Sequence, residues 1–428
     1  MRRPYLLALL VLASTVVACA PSSEPSSGGG AGANGAGGGG TGASTSTGVG
    51  GSGGSGPTAL DALLAELRAD PQAAMAHHAN AEGWPVPVVD DGQSGGHLFV
   101  SLDPALTLLA GDHDAWAGTP MAPDQGFSWI VLTVPAGDGY KLTDGTAFVA
   151  DPWARAYGYD EFGEMSYVEP PAPRLERLFG LGDAALAPRT VRIRVPVEPI
   201  THALYVHDGQ NLFDPSAAFG GWHLGDAPAP GVLLVGVDNT PARMDEYTHV
   251  TDVISGQTTG GQGDAYADFL ADVVRPAVEA RYGAAAKNGV MGSSLGGLVS
   301  FHVADRQPGA WDFAASLSGT MGWGSIGAGV HEETMIERYA AHGHRDVVLY
   351  VDSGGGGACG DADGDGVDDD DASASDNYCE NAQLRDVLTA AGWAEGSDLT
   401  YVFAPGAQHD EAAWAARVPA VLELFSSL

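Results

Sequence analysis

One serine in the sequence stands where it could act as a nucleophile. The stretch Lys287–Phe301 reads KNGVMGSSLGGLVSF, an apolar run that breaks at Gly292-Ser293-Ser294-Leu295-Gly296 and then resumes. The pentapeptide fits G-x-S-x-G, in which the flanking glycines allow a sharp strand-to-helix turn that exposes the serine Oγ. The same small residues also occur in turns that carry no chemistry. The motif therefore gains meaning only from the elements and partners around it.

A serine needs a general base, and one histidine has a suitable position. Among the thirteen histidines, His409 lies in PGAQHDEAAW, between the last predicted strand and the last predicted helix. Enzymes built on such an elbow carry their residues in the order Ser, acid, His. We therefore predict His409 as the base of Ser294. His207 ends an earlier predicted strand, where it either lines the pocket or is satisfied by the backbone.

Two backbone N–H groups would have to bind the developing oxyanion. The first is that of Leu295, directly after the nucleophile, at a helix N-terminus whose dipole favours negative charge. The second is predicted in ALYVHDGQNLF, where Gly209 or Gln210 follows a strand. Both groups would then face the carbonyl that Ser294 attacks.

The elements around these residues alternate between strand and helix from residue 189 onward. Apolar strands that alternate with amphipathic helices predict a doubly wound, mainly parallel sheet with its chemistry at the carboxyl ends of the strands. The predicted strands are Thr190–Val197, Ala203–His207, Val232–Val237, Gly289–Met291, Phe313–Leu317, Val347–Val351 and Leu399–Phe403, and the predicted helices are Asp264–Arg281, Leu295–Gln307, Glu332–His342, Tyr378–Ala391 and Glu411–Phe425.

The part before residue 170 has another rhythm. Ala59–Arg68 has helical periodicity, and residues 96–168 show short alternating runs separated by Gly, Pro and Asp, which is typical of an all-β domain. We predict these domains: signal peptide 1–18, flexible tether 19–57, helix plus small immunoglobulin-like sandwich 58–170, connector 171–188, and catalytic domain 189–428 with an acidic insertion at 354–376.

The β-rich part carries a set of aromatic and turn residues, namely Trp116, Met121, Trp129, Gly139-Tyr140-Lys141 and Asp151-Pro152. In these residues it resembles the early-set domain that occurs beside glycogen-active enzymes and in front of enterochelin-type esterases. The two tryptophans either form the core of the sandwich, which we favour, or a face on which sugars stack.

Four motifs follow one another from about residue 189 to residue 428, namely YVHDGQNLFD, GVDNTPARMDEYT, GVMGSSLGGL and PGAQHDEAAW. In this order and spacing they resemble the enterochelin esterase-like esterases. The resemblance implies the α/β-hydrolase fold and hydrolysis of carboxylic esters, with Ser294 as nucleophile and His409 as base. No catalytic cofactor is expected.

The acid is where the sequence departs from the family's pattern. Related enzymes carry Gly-x-x-Asp or Gly-x-x-Glu just after the strand that corresponds to Val347–Val351. Here an acidic insertion follows that strand. Asp352 stands at the strand end and Asp376 just before the next predicted helix, which it could also simply cap. The sequence leaves both candidates open.

The insertion itself predicts a metal site and a disulfide. Asp361-x-Asp363-x-Asp365-Gly366 resembles the start of a calcium loop, although Ala372 stands where such loops carry their last carboxylate and Asp369 or Asp371 would have to compensate. We predict a structural Ca²⁺ bound by Asp361, Asp363, Asp365 and Asp369; the alternative is a solvated acidic loop. Cys359 and Cys379 would form a disulfide in an exported protein.

The N-terminus predicts export and a lipid anchor. MRRPYLLALLVLASTVVACA has a charged start, a short apolar core and Val16-Val17-Ala18-Cys19, which resembles the lipobox of bacterial lipoproteins, whose cysteine is lipidated. The alternative is an ordinary signal peptide. Net charge is −35, which argues against nucleic acid as a partner. We expect a protein tethered to the cell envelope through Cys19.

The sequence thus predicts an exported serine esterase that works through Ser294, His409 and an Asp. Its substrate would be a siderophore, an acyl or feruloyl ester on polysaccharide, or a simple ester. Two alternatives remain open, namely an acyltransferase on the same fold and a non-catalytic lipoprotein that binds glycan.

Overall fold

The computed structural model describes residues 58–90, 93–227, 229–370 and 376–428. The predicted signal peptide, Cys19 and the tether lie outside the described residues. Residues Ala59–Leu428 form one compact unit. Within the described part of the chain, no helix has both the length and the apolar character needed to cross a membrane.

Helices and strands follow the two rhythms of the sequence. The helices are Ala59–Ala69, Pro71–Ala81, Arg243–Glu246, Gly263–Phe269 continued by a π-helical turn at Leu270–Val274 and by Arg275–Tyr282, Leu295–Arg306, Met335–His342, Tyr378–Ala391 and Glu411–Ser426. The strands of the first part are Val86–Asp90, Gln93–Ser101, Leu108–Gly111, Thr119–Pro120, Ala122–Pro123, Ser128–Leu132, Gly139–Thr143, Phe148–Val149, Ala156–Asp160, Gly163–Tyr167 and Arg174–Leu181. Those of the second part are Arg189–Val195, His202–His207, Val232–Val237, Thr251–Ile254, Gln257–Gly260, Lys287–Ser293, Phe313–Leu317, Val348–Ser353 and Leu399–Phe403.

The second part is organised by a parallel sheet, as predicted. From the edge inward its strands begin at Leu399, Val348, Phe313, Lys287, His202 and Val232, and each of these pairs parallel with the next. All residues of Val232–Val237 and of Phe313–Leu317 are buried, which explains why these strands read as continuous apolar runs. The carboxyl ends of the strands consequently meet at one edge.

The segment 171–188, predicted as a connector, instead contains a strand. Arg174–Leu181 pairs antiparallel with Arg189–Val195 on one side and with Ala156–Asp160 on the other. The sheet of the second part therefore continues without a break into the β-rich part. The backbone N–H and C=O groups of Arg174–Leu181 therefore pair with the neighbouring strands, whereas a surface linker would lack these hydrogen bonds.

The β-rich part is a two-layer structure covered by two helices. A four-stranded sheet faces the strands around Gly139–Thr143, and Phe99, Leu109 and Tyr140 fill the space between the layers. Helices Ala59–Ala69 and Pro71–Ala81 pack on the outer face of the four-stranded sheet. The predicted all-β sandwich thus carries a helical layer of which the sequence revealed only the first helix.

Candidate active site

Ser294 has the backbone conformation of a nucleophile elbow. It follows strand Lys287–Ser293, precedes helix Leu295–Arg306, and has φ 55° and ψ −123°. A non-glycine residue with positive φ is uncommon and strained, and such residues cluster at active sites. Gly292 and Gly296 permit the turn, because a Cβ on Gly292 would lie 2.6 Å from the carbonyl carbon and oxygen of Gly296.

The parallel strands deliver the other candidate residues to the same edge. Leu317 pairs with Ser293 on one side and with Asp352 on the other, and Asp352 pairs with Val402. The loops that follow these four strands therefore start side by side. They carry Ser294, the segment from residue 318, the acidic insertion and the loop that ends in His409.

His409 is hydrogen-bonded to Asp376. The distance from His409 Nδ1 to Asp376 Oδ1 is 2.8 Å, and the Asp376 side chain is fully buried. The second oxygen of Asp376 accepts hydrogen bonds from Ser318 Oγ at 2.8 Å and from the Gly354 N–H. A carboxylate held in this way fixes the tautomer and the orientation of the imidazole.

Asp352 makes a different set of contacts. Its carboxylate accepts hydrogen bonds from Arg417 Nε at 3.0 Å, from the Tyr350 hydroxyl at 3.0 Å and from the Ser318 N–H at 3.1 Å. Burial raises the pKa of Asp352 to about 6, although Arg417 favours the charged form. Of the two acid candidates, Asp376 contacts the histidine and Asp352 contacts the arginine.

A short chain of polar contacts links Ser294 to the residue that follows Asp376. Ser294 Oγ lies 3.5 Å from Thr320 Oγ1, and Thr320 Oγ1 accepts a hydrogen bond from Asn377 Nδ2 at 3.2 Å. Asn377 also donates to the carbonyl oxygen of Ser318 at 3.0 Å. The nucleophile candidate and the acid candidate therefore belong to one local network.

The candidate oxyanion groups belong to two segments that meet at the start of helix Leu295–Arg306. Leu295 is the first residue of its helix, so its N–H has no partner within that helix. The loop that holds Gly209 and Gln210 packs against the same helix start, because a Cβ on Gly296 would lie 3.4 Å from the His207 side chain and 3.5 Å from Asp208.

That loop is braced by residues of the GVDNTPARMDEYT motif. Arg243 binds Asp208 through two hydrogen bonds of 2.7 and 2.8 Å, and Asn239 Nδ2 adds a third at 2.6 Å. Burial alone would raise the pKa of Asp208, but the Arg243 guanidinium overrides this effect and the pKa is lowered. Gln210 Oε1 accepts the Asn239 N–H at 3.1 Å.

His207 is buried beneath this loop. Its Nδ1 lies 2.9 Å from the Tyr266 hydroxyl, and burial lowers its pKa to about 3. A neutral imidazole packed between Tyr247 and Tyr266 is a structural part of the loop. From the sequence we expected His207 either to line the pocket or to bind the backbone. Its hydrogen-bond partner is instead the Tyr266 hydroxyl.

The acidic insertion contains a carboxylate cluster and the predicted disulfide. Carboxylate oxygens of Asp361, Asp363 and Asp369 lie within 4.8 Å of one another and are exposed. Asp365 instead accepts a hydrogen bond from Ser325 Oγ at 2.8 Å. Three of the four predicted calcium ligands therefore converge, and Asp365 is not among them. Cys359 and Cys379 are joined by a disulfide, which confirms the predicted pairing.

Four residues of this network were not singled out from the sequence. They are Ser318, Thr320, Asn377 and Arg417. Ser318 follows a buried strand just as Ser294 does, and it also has a positive φ of 48°. Arg417 stands on the apolar face of helix Glu411–Ser426 between Trp414 and Val418, which was the signal for a buried charge with a partner.

A mainly parallel sheet with an elbow serine at the carboxyl end of a strand defines the α/β-hydrolase fold. The model of the family described as "Putative esterase" matches residues 187–425, more than half of the chain. The chain belongs to this family, and the protein is an esterase. The match confirms the family to which the sequence motifs pointed.

Several solved structures are similar to the chain at low identity. The enterobactin esterase FES from Shigella flexneri is 14% identical, with 77% of this chain and 93% of that chain covered and a TM-score of 0.44. An IroE-like serine hydrolase from Shewanella oneidensis is 19% identical, with coverages of 59% and 80% and a TM-score of 0.45. The siderophore hydrolase EstA from Aspergillus nidulans is 17% identical, with coverages of 59% and 94% and a TM-score of 0.44. None of the curated proteins compared with the chain matches it significantly.

Proposed function

We propose that this esterase works through a triad of Ser294, His409 and Asp376. The observation that carries the proposal is the 2.8 Å contact between His409 Nδ1 and the buried Asp376, at the sheet edge where the strained Ser294 stands. Asp352 is not given the role of the acid, because its carboxylate is bound to Arg417.

The proposed roles are those of a Ser-His-Asp triad. Ser294 Oγ attacks the ester carbonyl while His409 Nε2 takes its proton, and the alcohol then leaves with that proton. Asp376 stabilises the imidazolium and keeps Nδ1 protonated. The N–H groups of Leu295 and of Gly209 or Gln210 bind the oxyanion. Water, activated by His409, then releases the acid from the acyl-enzyme.

The substrate is a carboxylic ester, of which three kinds fit the family resemblance. These are a siderophore ester, an acyl or feruloyl ester on polysaccharide, and a simple ester. A net charge of −35 repels strongly anionic substrates at a distance. If a sugar or lipid alcohol replaced water as the acceptor, the same acyl-enzyme would make the protein an acyltransferase.

The acidic insertion is proposed to bind a structural Ca²⁺ outside this reaction. Three convergent, exposed carboxylates fit a hard cation that takes oxygen ligands. Asp361 also accepts three backbone N–H groups, which reduces the oxygen surface left for an ion. Titration with Ca²⁺ during thermal unfolding tests the site: a midpoint that rises with Ca²⁺ and no longer does in Asp363→Asn supports it.

The location of the protein is also a proposal. Export and a lipid on Cys19 rest on the lipobox-like sequence Val16–Cys19. Labelling of growing cells with an alkyne fatty acid should mark the full chain and not Cys19→Ser. Labelling of both proteins would point to a lipid elsewhere, and labelling of neither would leave an ordinary signal peptide.

Activity is tested with p-nitrophenyl acetate and butyrate on the full chain. The proposal expects hydrolysis that is lost in Ser294→Ala and His409→Ala, with both variants retaining the circular dichroism spectrum of the unchanged protein. A panel of siderophore, feruloyl and acetylated polysaccharide esters then ranks substrates by kcat/KM. Addition of glycerol distinguishes hydrolysis from acyl transfer, since an acyltransferase forms glycerol ester.

A cavity in the β-rich part favours a second, binding function. Its volume is about 580 Å³. Its aromatic lining residues are Trp116, Phe148, Phe162 and Tyr167, and Lys141 is one of its polar lining residues. Phe162 is 78% exposed, and the ring centroids of Trp116 and Phe148 lie 6.2 Å apart. Aromatic walls with polar groups nearby suit a sugar ring. Trp129, by contrast, packs against the apolar cluster under the helices.

Sugar binding is tested with soluble polysaccharides in an affinity gel. Trp116→Ala should lose any retardation that the unchanged protein shows, whereas Phe219→Ala, which removes an aromatic ring with 54% exposure outside the cavity, should keep it. Equal mobility of all three proteins in every polysaccharide would refute this second function.

A further inference from the structure

Beneath the proposed triad lie a buried arginine and a buried aspartate, Arg417 and Asp352, to which the proposed reaction assigns no role. Arg417 is 7% exposed and stands between two carboxylates, those of Asp352 and Asp376, whose side chains are fully buried. Arg417 Nε donates to Asp352 at 3.0 Å, and its Nη2 lies 3.8 Å from Asp376. One guanidinium therefore compensates two carboxylates in a region of low dielectric constant.

The direction of one hydrogen-bond chain is fixed by its donors. Arg417 Nη2 lies 2.8 Å from Ser318 Oγ, and Ser318 Oγ lies 2.8 Å from Asp376 Oδ2. A guanidinium can only donate, so Ser318 Oγ accepts from Arg417 and its own proton is left for Asp376. The positive charge of Arg417 thus polarises the hydroxyl that binds the acid.

Ser318 is held for this role by its backbone. Its N–H binds both the main-chain oxygen and the carboxylate of Asp352, at 3.0 and 3.1 Å. Its φ of 48° is strained for a serine. Such strain persists only where the surroundings over-determine it, and here both Asp352 and Arg417 contact the residue.

We propose that Arg417 and Ser318 are positioning residues that keep the Asp376 carboxylate ionised and oriented toward His409. Arg417 does so by balancing the charges of Asp352 and Asp376. Ser318 does so by donating a hydrogen bond to Asp376 while it accepts one from Arg417. Asp352 is the counter-charge that orients Arg417. This inference rests on the proposed triad and assigns neither residue a contact with substrate.

The titratable and charged groups around Asp376 come from several elements. His409 faces it from the last loop, Arg417 from the last helix, and Asp352 with Tyr350 from the neighbouring strand. Glu380 lies one helical turn beyond, bound to the Met321 and Gly322 N–H groups, and Asp370 binds the N–H groups of Tyr378 and Cys379. Among the residues that the structure describes, Arg417 is the arginine whose guanidinium lies within 4 Å of the Asp376 carboxylate.

Charge balance makes a prediction that packing alone does not. In Arg417→Gln the two carboxylates lose their shared cation, and wherever Asp352 ionises its charge is uncompensated beside Asp376, which disfavours a second carboxylate charge and a neutral His409. The acidic limb of the kcat/KM profile should move up by about 1 to 3 pH units, with both groups titrating as a coupled pair. Adding Asp352→Asn to Arg417→Gln removes the uncompensated charge and should restore most of the shift.

The experiment measures kcat/KM for p-nitrophenyl butyrate against pH with the full chain, Arg417→Gln, Asp352→Asn, the double variant and Ser318→Ala. The expected result is a limb shift in Arg417→Gln that the double variant reverses, and a fall in kcat of about tenfold or more for Ser318→Ala with KM little changed. An unshifted limb in Arg417→Gln, or a double variant as shifted as the single one, overturns the proposal.

Two further outcomes are kept apart. If Arg417→Gln does not fold, Ser318→Ala decides. An unchanged kcat in Ser318→Ala overturns the proposal, and a loss that is confined to the kcat of Ser318→Ala supports it. If the unchanged protein and Ser294→Ala hydrolyse the ester equally, the proposed triad itself fails. That result is distinct from a failure of the roles of Arg417 and Ser318.

Discussion

His409 Nδ1 lies 2.8 Å from Asp376 Oδ1, although 33 residues separate them in the chain. The acidic insertion leaves the sheet at Ser353 and returns at Asp376, beside the strand that leads to His409. The Gly354 N–H binds Asp376, and Gly355 N–H binds the carbonyl oxygen of Ala407 at 2.9 Å. Both ends of the insertion are therefore fastened to the loop of the histidine.

The first prediction separates the two aspartates. Asp376→Asn should lower kcat for p-nitrophenyl butyrate by roughly 10³- to 10⁴-fold, because an amide no longer favours the productive tautomer of His409 or stabilises its charge. Asp352→Asn should cost far less, since Asp352 contacts Arg417. A larger loss in Asp352→Asn than in Asp376→Asn would reverse the assignment.

The second prediction concerns the elbow. Gly292→Ala should destabilise the fold by about 1–3 kcal/mol and abolish activity, because the new methyl would press against the backbone of Gly296. Gly225→Ala is the matched control, since a Cβ there meets nothing within 4 Å. Urea unfolding of both variants gives the comparison, and equal stabilities would contradict the close approach.

The third prediction concerns the loop of Gly209 and Gln210. Arg243→Ala leaves Asp208 without its bidentate partner, so both stability and kcat should fall. The loss of stability should be smaller than the roughly 3–5 kcal/mol of a fully buried pair, because the Arg243 side chain is 29% exposed. Asp208→Asn combined with Arg243→Ala should be more stable than Arg243→Ala alone. A double variant that is less stable would argue against an ion-pair role.

The fourth prediction concerns pH and stability. Burial and the nearby Asp370 raise the pKa of Glu380 to about 8, against 4.5 for an ordinary glutamate. A folded-state pKa above the unfolded one means that this group's contribution is present below pH 4.5 and is lost as the pH rises through about 8. The melting temperature should therefore fall as the pH rises from 4.5 through about 8. Glu380→Gln should remove this group's part of that fall, whereas Glu395→Gln, at an exposed position, should not.

Much of the fold was predictable from patterns that have a direct physical cause. Val232–Val237, Phe313–Leu317 and Leu399–Phe403 were predicted with their observed bounds. The first two are buried parallel strands, which are apolar runs bounded by polar loops. Arg174–Leu181 was missed because prolines precede it and charged residues alternate along it. Its arginines are satisfied within the structure, as when Arg177 Nε donates to the carbonyl oxygen of Ala154 at 2.8 Å.

The site was predictable where one residue follows one strand. Ser294 and His409 stand at such positions, so the order of elements located them. Asp352 and Asp376 could not be separated, because the path of a long insertion depends on contacts that leave no local pattern. The Cys359–Cys379 disulfide and the Asp370 hydrogen bonds to Tyr378 and Cys379 N–H help to bring Asp376 back to the sheet edge.

The most direct test of the central claim is the mass of the protein after reaction with a fluorophosphonate, which modifies activated serines. We predict a single adduct on the full chain, located by peptide mapping at Ser294, and slower adduct formation in His409→Ala and Asp376→Asn. Adduct formation at another serine, or esterase activity that persists in Ser294→Ala, would contradict the claim that Ser294 is the nucleophile of this esterase.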